Sequence, residues 1–255
     1  MSKNALFPSG CSLIIGASGG IGCKVAEVLA LDGSDLALAY HNNPEPVEAL
    51  VNSVQVDATC HKVDVTDPDS VSELIRNATA HHGTIHTLVW AAGPLVEQHL
   101  LAEISDAQWE RAIAVEAHGF FRVVKALLPQ RRKAGGGSLV HLGSAGHLRG
   151  PLRDGLSVVT KAANESLVKG IAREEGANGI RANSVLVGVI DAGMFRELSQ
   201  KGAFPEGWEE ETKKALALNR WGKPQEIGFA VSWLASNRAS YVTGQQINVS
   251  GGFGI

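Results

Sequence analysis

The residues Gly16-Ala17-Ser18-Gly19-Gly20-Ile21-Gly22 have the composition and spacing to hold a pyrophosphate. They follow a short apolar run, Ser12–Ile15, and open an amphipathic stretch, Gly20–Leu31. Glycines there allow a tight turn and close approach of the backbone, and a helix N-terminus offers free N–H groups to an anion. A glycine pattern gains its force from that strand-turn-helix setting. The second apolar run ends in Tyr40-His41-Asn42-Asn43. An acid at that point would accept from the ribose hydroxyls of NAD and repel a 2′-phosphate. None is present, so the sequence favours NADP(H) over NAD(H), with His41 and Asn42 as donors. His81-His82 is read as a surface pair, because neighbours on a helix point apart. The cysteines Cys11, Cys23 and Cys60 form no C-x-x-C pair, so reduced thiols and no metal site are expected.

The elements that must position this turn alternate in type. Strands are expected at Ser12–Ile15, Leu36–Tyr40, within Val54–Lys62, and at Thr87–Trp90, Ser138–Leu142, Arg181–Val187 and Gln246–Val249. Asp67-Pro68-Asp69 reads as a helix start, and Ser105-x-x-Gln108 as a capping box opening a long helix to about Leu128. Further helices are expected over Leu156–Glu175 and from Pro224 to about Leu234. Strands separated by helices form a parallel sheet with right-handed crossovers and helices on both faces. The expected fold is therefore α/β, a Rossmann-type doubly wound parallel sheet of seven strands, in a single domain over residues 1–255. Residues 190–220 break the rhythm and read as a mobile lid over the site within that domain.

Of the 255 residues, 44% are hydrophobic and 19% charged, and the net charge is −3. No basic run suggests nucleic acid. No apolar run approaches a membrane span, and the start of the chain has no signal pattern, so a cytoplasmic protein is expected. The long helices Ser105–Leu128 and Leu156–Glu175 carry apolar residues on more than one face, which predicts a homo-dimer or homo-tetramer.

Taken together, these segments resemble the short-chain dehydrogenases/reductases over nearly the whole chain. The turn is similar to the family's T-G-x-x-x-G-x-G motif, with Ile15 in place of the threonine. Asp64-Val65 resembles the pair that meets adenine, and Ala91-Ala92-Gly93 the N-A-G motif. Leu142-Gly143-Ser144 resembles the strand with the catalytic serine. Arg220-Trp221-Gly222, Tyr241–Gly244 and Val249–Gly252 resemble the C-terminal signature. The resemblance implies cofactor contacts from Gly16, Ser18, Gly20, Ile21, Gly22, Tyr40, His41, Asn42, Asp64, Val65, Ala91, Ala92, Gly93, Lys161, Gly188 and Ile190.

The resemblance also implies four groups for proton transfer: Asn, Ser, Tyr and Lys. Ser144 and Lys161 match two of them. The tyrosine position is Ser157 and the asparagine position is Glu116. Val187 and Ala192 stand where the family has proline and threonine. The i, i+4 spacing keeps residues 157 and 161 on one helix face, but a serine hydroxyl is shorter and far less acidic than a phenol. His147, three residues after Ser144, is either a substitute acid or a pocket-rim histidine. His118 is read as packing. Glu116 is either the structural partner of Lys161 or a buried acid with a raised pKa. Leu95, Val96, Leu148, Met194, Phe195 and Trp208 suggest an apolar pocket or ordinary packing under the lid.

Three activities stay open: carbonyl–alcohol redox chemistry on a small, mostly apolar molecule; dehydration, isomerisation or cyclisation on the same fold; or dinucleotide binding with little redox activity. Catalysis is assigned among Ser144, Ser157, Lys161, Glu116 and His147.

Overall fold

A computed structural model describes residues 5–254. Residues 1–4 and 255 of the expected domain lie outside the described residues. The chain runs β1 (Cys11–Ile15), α1 (Gly20–Leu31), β2 (Asp35–Tyr40), α2 (Glu45–Ser53), β3 (Ala58–Lys62), α3 (Pro68–His82) and β4 (Ile85–Trp90). It continues through α4 (Asp106–Ile113), a π-helical turn (Ala114–His118), α5 (Gly119–Lys133), β5 (Gly137–Ser144) and α6 (Gly155–Glu175). The last elements are β6 (Ile180–Val187), α7 (Gly193–Gln200), α8 (Trp208–Lys214), α9 (Pro224–Ala235) and β7 (Gln246–Val249).

All seven strands pair in parallel in the order β3-β2-β1-β4-β5-β6-β7. The order reverses between β1 and β4, which opens a crevice at the carboxyl ends of the central strands. β1 and β4 are buried along their whole length, as a sheet covered on both faces requires. One face packs against α3, α5 and α6 through Leu74, Phe120, Val123, Leu127 and Ile171. The other packs against α1, α2 and α9 through Val25, Leu29, Leu50, Ile227 and Leu234. Among the described residues no helix is long and apolar enough to cross a membrane.

Local signals set the helix starts. The Asp67 side chain accepts from the Asp69 amide at 2.9 Å, and Pro68 occupies the first turn. Ser105 and Gln108 form the reciprocal box, with bonds of 3.0 and 3.3 Å. α2 has no counterpart among the expected elements. The expected helix from Ser105 is interrupted by the π turn and continues to Lys133. The π turn rotates Glu116 inward to complete burial, and Gly119 lets this segment approach β4. A Cβ at Gly119 would lie 2.8 Å from Val65 and 3.2 Å from Trp90. His118 is exposed in the single chain rather than packed.

Residues 191–221 leave the sheet and return to it. Ile190 and Gly222 form a parallel bridge, closed by Asp191 N–H to Gly222 O at 2.8 Å and Gly222 N–H to Val189 O at 3.0 Å. The excursion carries its own aromatic cluster. Phe204 stacks on Trp208 at 4.1 Å, and Phe195 meets Trp221 at 5.2 Å.

A close backbone crossing lies under the glycine turn. Gly16 has φ +88°, and a Cβ there would fall 2.7 Å from the Ala92 backbone. Gly16→Ala should therefore cost about 1–3 kcal/mol through overpacking, besides the strain of a positive φ. Urea denaturation checks this; an unchanged midpoint would contradict the crossing.

Candidate active site

The carboxyl edge of the sheet gathers three expected groups from separate parts of the sequence: Ser144 at the end of β5, Lys161 on α6 and Glu116 on the π turn. Ser157 stands one turn before Lys161 on α6. The Ser144 Oγ accepts from the Gly146 amide at 3.0 Å, which leaves its own proton free to be donated. His147 follows on the short turn Ala145–Leu148, half-buried, with its Nδ1 buried and without a hydrogen-bond partner.

Lys161 does not stand alone at this edge. Its Nζ donates to Glu116 Oε2 at 2.8 Å, and the carboxylate is fully buried. The Trp90 indole N–H donates to Glu116 Oε1 at 2.9 Å. Asn164 donates to the Glu116 carbonyl oxygen at 3.1 Å. Behind the carboxylate lies His141 of β5, also fully buried, with Nε2 at 3.8 Å from Glu116 Oε1. His141 Nδ1 lies 2.9 Å from Glu165 Oε1, and Gln246 donates to Glu165 Oε2 at 2.8 Å. A chain of ionisable groups thus runs inward from the site: Lys161, Glu116, His141, Glu165.

Charge order explains how so many ionisable groups are buried together. Burial by itself would push the Glu116 carboxyl up; the Lys161 ammonium and the bond and charge of His141 outweigh it and hold the group well below the usual carboxylate range. Burial would likewise lower His141, but its bonds and charges from Glu116 and Glu165 hold its pKa above the ordinary value. Glu165, pushed up by burial, is drawn down by His141, Ser184 and Gln246. Of the two readings of Glu116, the geometry supports the ionised partner of Lys161. Gly93 closes the pair from above: a Cβ there would lie 2.8 Å from Glu116 Oε2 and 3.2 Å from Lys161 Nζ.

Asp154 is a group that sequence reasoning missed. It stands at the N-cap of α6 but makes no side-chain bond to the helix backbone. Burial raises its pKa, opposed by the neighbouring Gln98 side chain, the charge of Lys161 and the Ser157 side chain. Its position is set by Arg153, which adopts a left-handed φ of +66°, and by a bridge pairing Asp154 with His99. The available signal was an acid three residues before Ser157 on the face that carries Lys161.

The dinucleotide turn suits its ligand. Gly19 is extended and provides no side-chain cap, so the first amides of α1 are free for an anion. A Cβ at Gly20 would fall 2.7 Å from Gly193 N, so the start of α7 lies against the turn. At the adenosine end, Asp64 Oδ1 accepts from the Thr66 amide and hydroxyl at 2.8 and 2.7 Å, which lowers its pKa. His41 Nε2 lies 4.0 Å from Asp64. Lys62 pairs in register with Tyr40 and lines the same surface cavity as His41 and Asp64. The sequence reading had no cation at this end of the crevice.

Comparison with known proteins agrees with this geometry. The family model described as enoyl-(acyl carrier protein) reductase matches residues 16–254. The 3-oxoacyl-(acyl-carrier-protein) reductase FabG of Staphylococcus aureus (strain N315) is 32% identical over 244 residues, covering 94% of this chain and 96% of that protein. Nodulation protein G of Azospirillum brasilense is 30% identical over 246 residues, covering 94% and 96%. A short-chain type dehydrogenase/reductase from Mycobacterium ulcerans superposes with a TM-score of 0.89 at 26% identity, over 97% of this chain and 90% of that one. One from Serratia marcescens does so at 0.87 and 26%, over 99% and 100%. The chain belongs to the short-chain dehydrogenase/reductase family, a family of NAD(P)-dependent oxidoreductases.

The buried chain of charges should shape the pH dependence of stability. A carboxylate with a depressed folded pKa stabilises above its unfolded value of about 4.3, and that contribution is lost as pH falls through the folded pKa. A histidine with a raised folded pKa stabilises below about 6.5, and the contribution is lost as pH rises through the folded pKa. Glu116→Ala should cost about 3–5 kcal/mol by leaving buried charge unpaired. His141→Asn should be less stable at pH 6 but should lack the parent's expected loss of stability as pH rises through the raised folded pKa of His141. Denaturation midpoints across pH 5–9 check both; parallel profiles would contradict a charged His141.

Proposed function

We propose that the protein is an NADP(H)-dependent reductase of a carbonyl on a small, mostly apolar molecule, with the proton supplied through Ser157 and Asp154 rather than a phenol. The observation that carries this reading is the half-buried Asp154, whose carboxyl pKa burial raises, at the N-cap of α6 three residues before Ser157, which itself stands one helical turn before Lys161. When bound, the dinucleotide supplies hydride to the carbonyl carbon. Ser144 donates its free proton as a hydrogen bond to the carbonyl oxygen. Ser157 passes a proton to that oxygen and takes one from Asp154, whose raised pKa favours the protonated form it needs. Lys161, held by Glu116, contributes positive charge beside the developing alkoxide and hydrogen bonds to the nicotinamide ribose. His147 lines the same loop and is the second candidate acid.

The glycine turn would hold the pyrophosphate, with Ser18 and Ile21 beside it. Ala91, Ala92, Gly93, Gly188 and Ile190 would line the nicotinamide half, and Asp64 and Val65 the adenine. The preference for NADP(H) is supported by Tyr40-His41-Asn42, which lacks an acid, and by Lys62 beside it. The apolar character of the substrate is supported by exposed Leu100, Leu101, Leu148 and Leu152 around the mouth. Residues 190–220 would act as the lid, hinged at the bridge between Ile190 and Gly222. The similarity to 3-oxoacyl reductases supports carbonyl reduction over the non-redox alternatives.

Purified protein should oxidise NADPH at 340 nm with an apolar ketone panel and bind NADPH more tightly than NADH. Asp154→Asn should lower kcat by about 10²–10⁴ with NADPH affinity retained. In a Ser157→Tyr background, where the phenol supplies the proton, the same substitution should cost far less. An Asp154→Asn variant with unchanged kcat, or tighter NADH binding, would overturn these assignments.

The reading includes a homo-dimer or homo-tetramer. An apolar groove between α5 and α6 is lined by Phe121, Val124, Leu128 and Leu167, with Phe121 half-exposed. On α9, Phe229 and Trp233 are also exposed. Sedimentation at micromolar concentration should show a dimer or tetramer that Phe121→Glu weakens; a monomeric parent would contradict it.

A further inference from the structure

At the opposite end of the sheet from the crevice, the C-terminus of α3 meets the start of β3. His81 and His82 are sequence neighbours, expected to point apart. They instead bring their rings to 4.5 Å, because His82 is the last helical residue before Gly83, which turns the chain at φ +76°. Both rings face one carboxylate. His81 Nε2 lies 3.0 Å from each oxygen of Asp57, and His82 Nδ1 lies 3.5 Å from Asp57 Oδ2. The three donor atoms sit within 4.8 Å of one another.

We propose that Asp57, His81 and His82 bind a divalent transition-metal ion of the Zn²⁺ class. The two rings are set up differently, and that difference carries the inference. The His82 side chain is only 1% exposed, and its Nδ1 has no hydrogen-bond partner although it is buried. Its other nitrogen, Nε2, lies 2.9 Å from the Thr59 hydroxyl, which is also 2.8 Å from His61 Nε2. A hydroxyl donates once, so Thr59 can give its proton to His61 and accept that of His82. In that arrangement the His82 lone pair sits on Nδ1 and faces a carboxylate oxygen. Two acceptors face to face repel, and a proton or a metal cation between them relieves the repulsion. The Thr59 contact is the outer hydrogen bond that ligating histidines commonly make, fixing ring orientation and tautomer. Two imidazoles and one carboxylate suit Zn²⁺, and tetrahedral coordination at about 2.0–2.1 Å needs exposed His81 and Asp57 to close in by about 1 Å.

Such an ion would tie three elements together. Asp57 precedes β3, its amide donates to Asp35 Oδ1 at the start of β2 at 3.0 Å, and the histidines end α3. The ion would stabilise the β3 edge of the sheet and leave the cofactor crevice untouched. Equilibrium dialysis of the full chain against micromolar Zn²⁺ should retain one ion per chain, and Co²⁺ should give the visible absorption of a tetrahedral site. Zn²⁺ at ten times its Kd should raise the thermal midpoint by about 3–5 °C. Asp57→Asn and His81→Ala, both at exposed positions, should each weaken retention at least about 10-fold with NADPH binding unchanged. Failure to retain Zn²⁺, or equal retention by both variants, would overturn the proposal. Loss of the ion only in Cys60→Ser would overturn it too, by placing the metal on that exposed thiol.

Discussion

The ion pair between Lys161 and Glu116 is the interaction around which the site is organised. A carboxylate with no solvent exposure is stable only if its charge is answered on every side. Here Lys161 answers it from the crevice, the Trp90 indole from β4, Asn164 from α6 and His141 from β5. Each neighbour is then constrained in turn. Glu165 faces the other nitrogen of His141 and favours its charged form, and Glu165 is completed by Gln246 at the far edge of the sheet. The π turn that brings Glu116 inward needs Gly119 where a side chain would strike Trp90. The geometry of Lys161 is therefore fixed by the core beneath it.

This arrangement changes what the lysine can do. In the pattern that the sequence resembles, an asparagine stands where this chain has Glu116. A direct carboxylate partner at 2.8 Å anchors the ammonium. Under the proposed function Lys161 therefore orients and supplies charge rather than carrying protons. Under the proposed function, the losses of the phenol at Ser157 and of the asparagine at Glu116 are parts of one change, with proton delivery moved to the Asp154 side of α6, where burial raises a carboxyl pKa.

Much of the fold was legible in the sequence because its signals are local. The turn Gly16–Gly22, the Asp67 cap and the Ser105–Gln108 box are complete within a few residues, and each element forms where its signal lies. The α/β alternation then leaves little choice of topology. Short α2 was not legible, since Pro44 and Pro46 obscure its pattern. The π turn was invisible, because one extra residue per turn is set by what Glu116 and Gly119 meet across the sheet.

The site was half legible for the same reason. Ser144, Ser157, Lys161 and Glu116 could be placed by resemblance to a motif. His141 reads as one polar residue in an apolar strand, and Glu165 as an ordinary helix charge; nothing within either segment announces that they meet. His81 and His82 were judged by helix geometry that ceases to hold at the last turn. The account as a whole requires Glu116 to be a carboxylate in the folded protein. The most direct measurement is the ¹³C carboxyl shift of Glu116 followed by NMR from pH 8 to pH 4, assigned with Glu116→Gln. The shift of an ionised carboxylate held throughout that range is the predicted result; a titration at or above the ordinary glutamate range would contradict it.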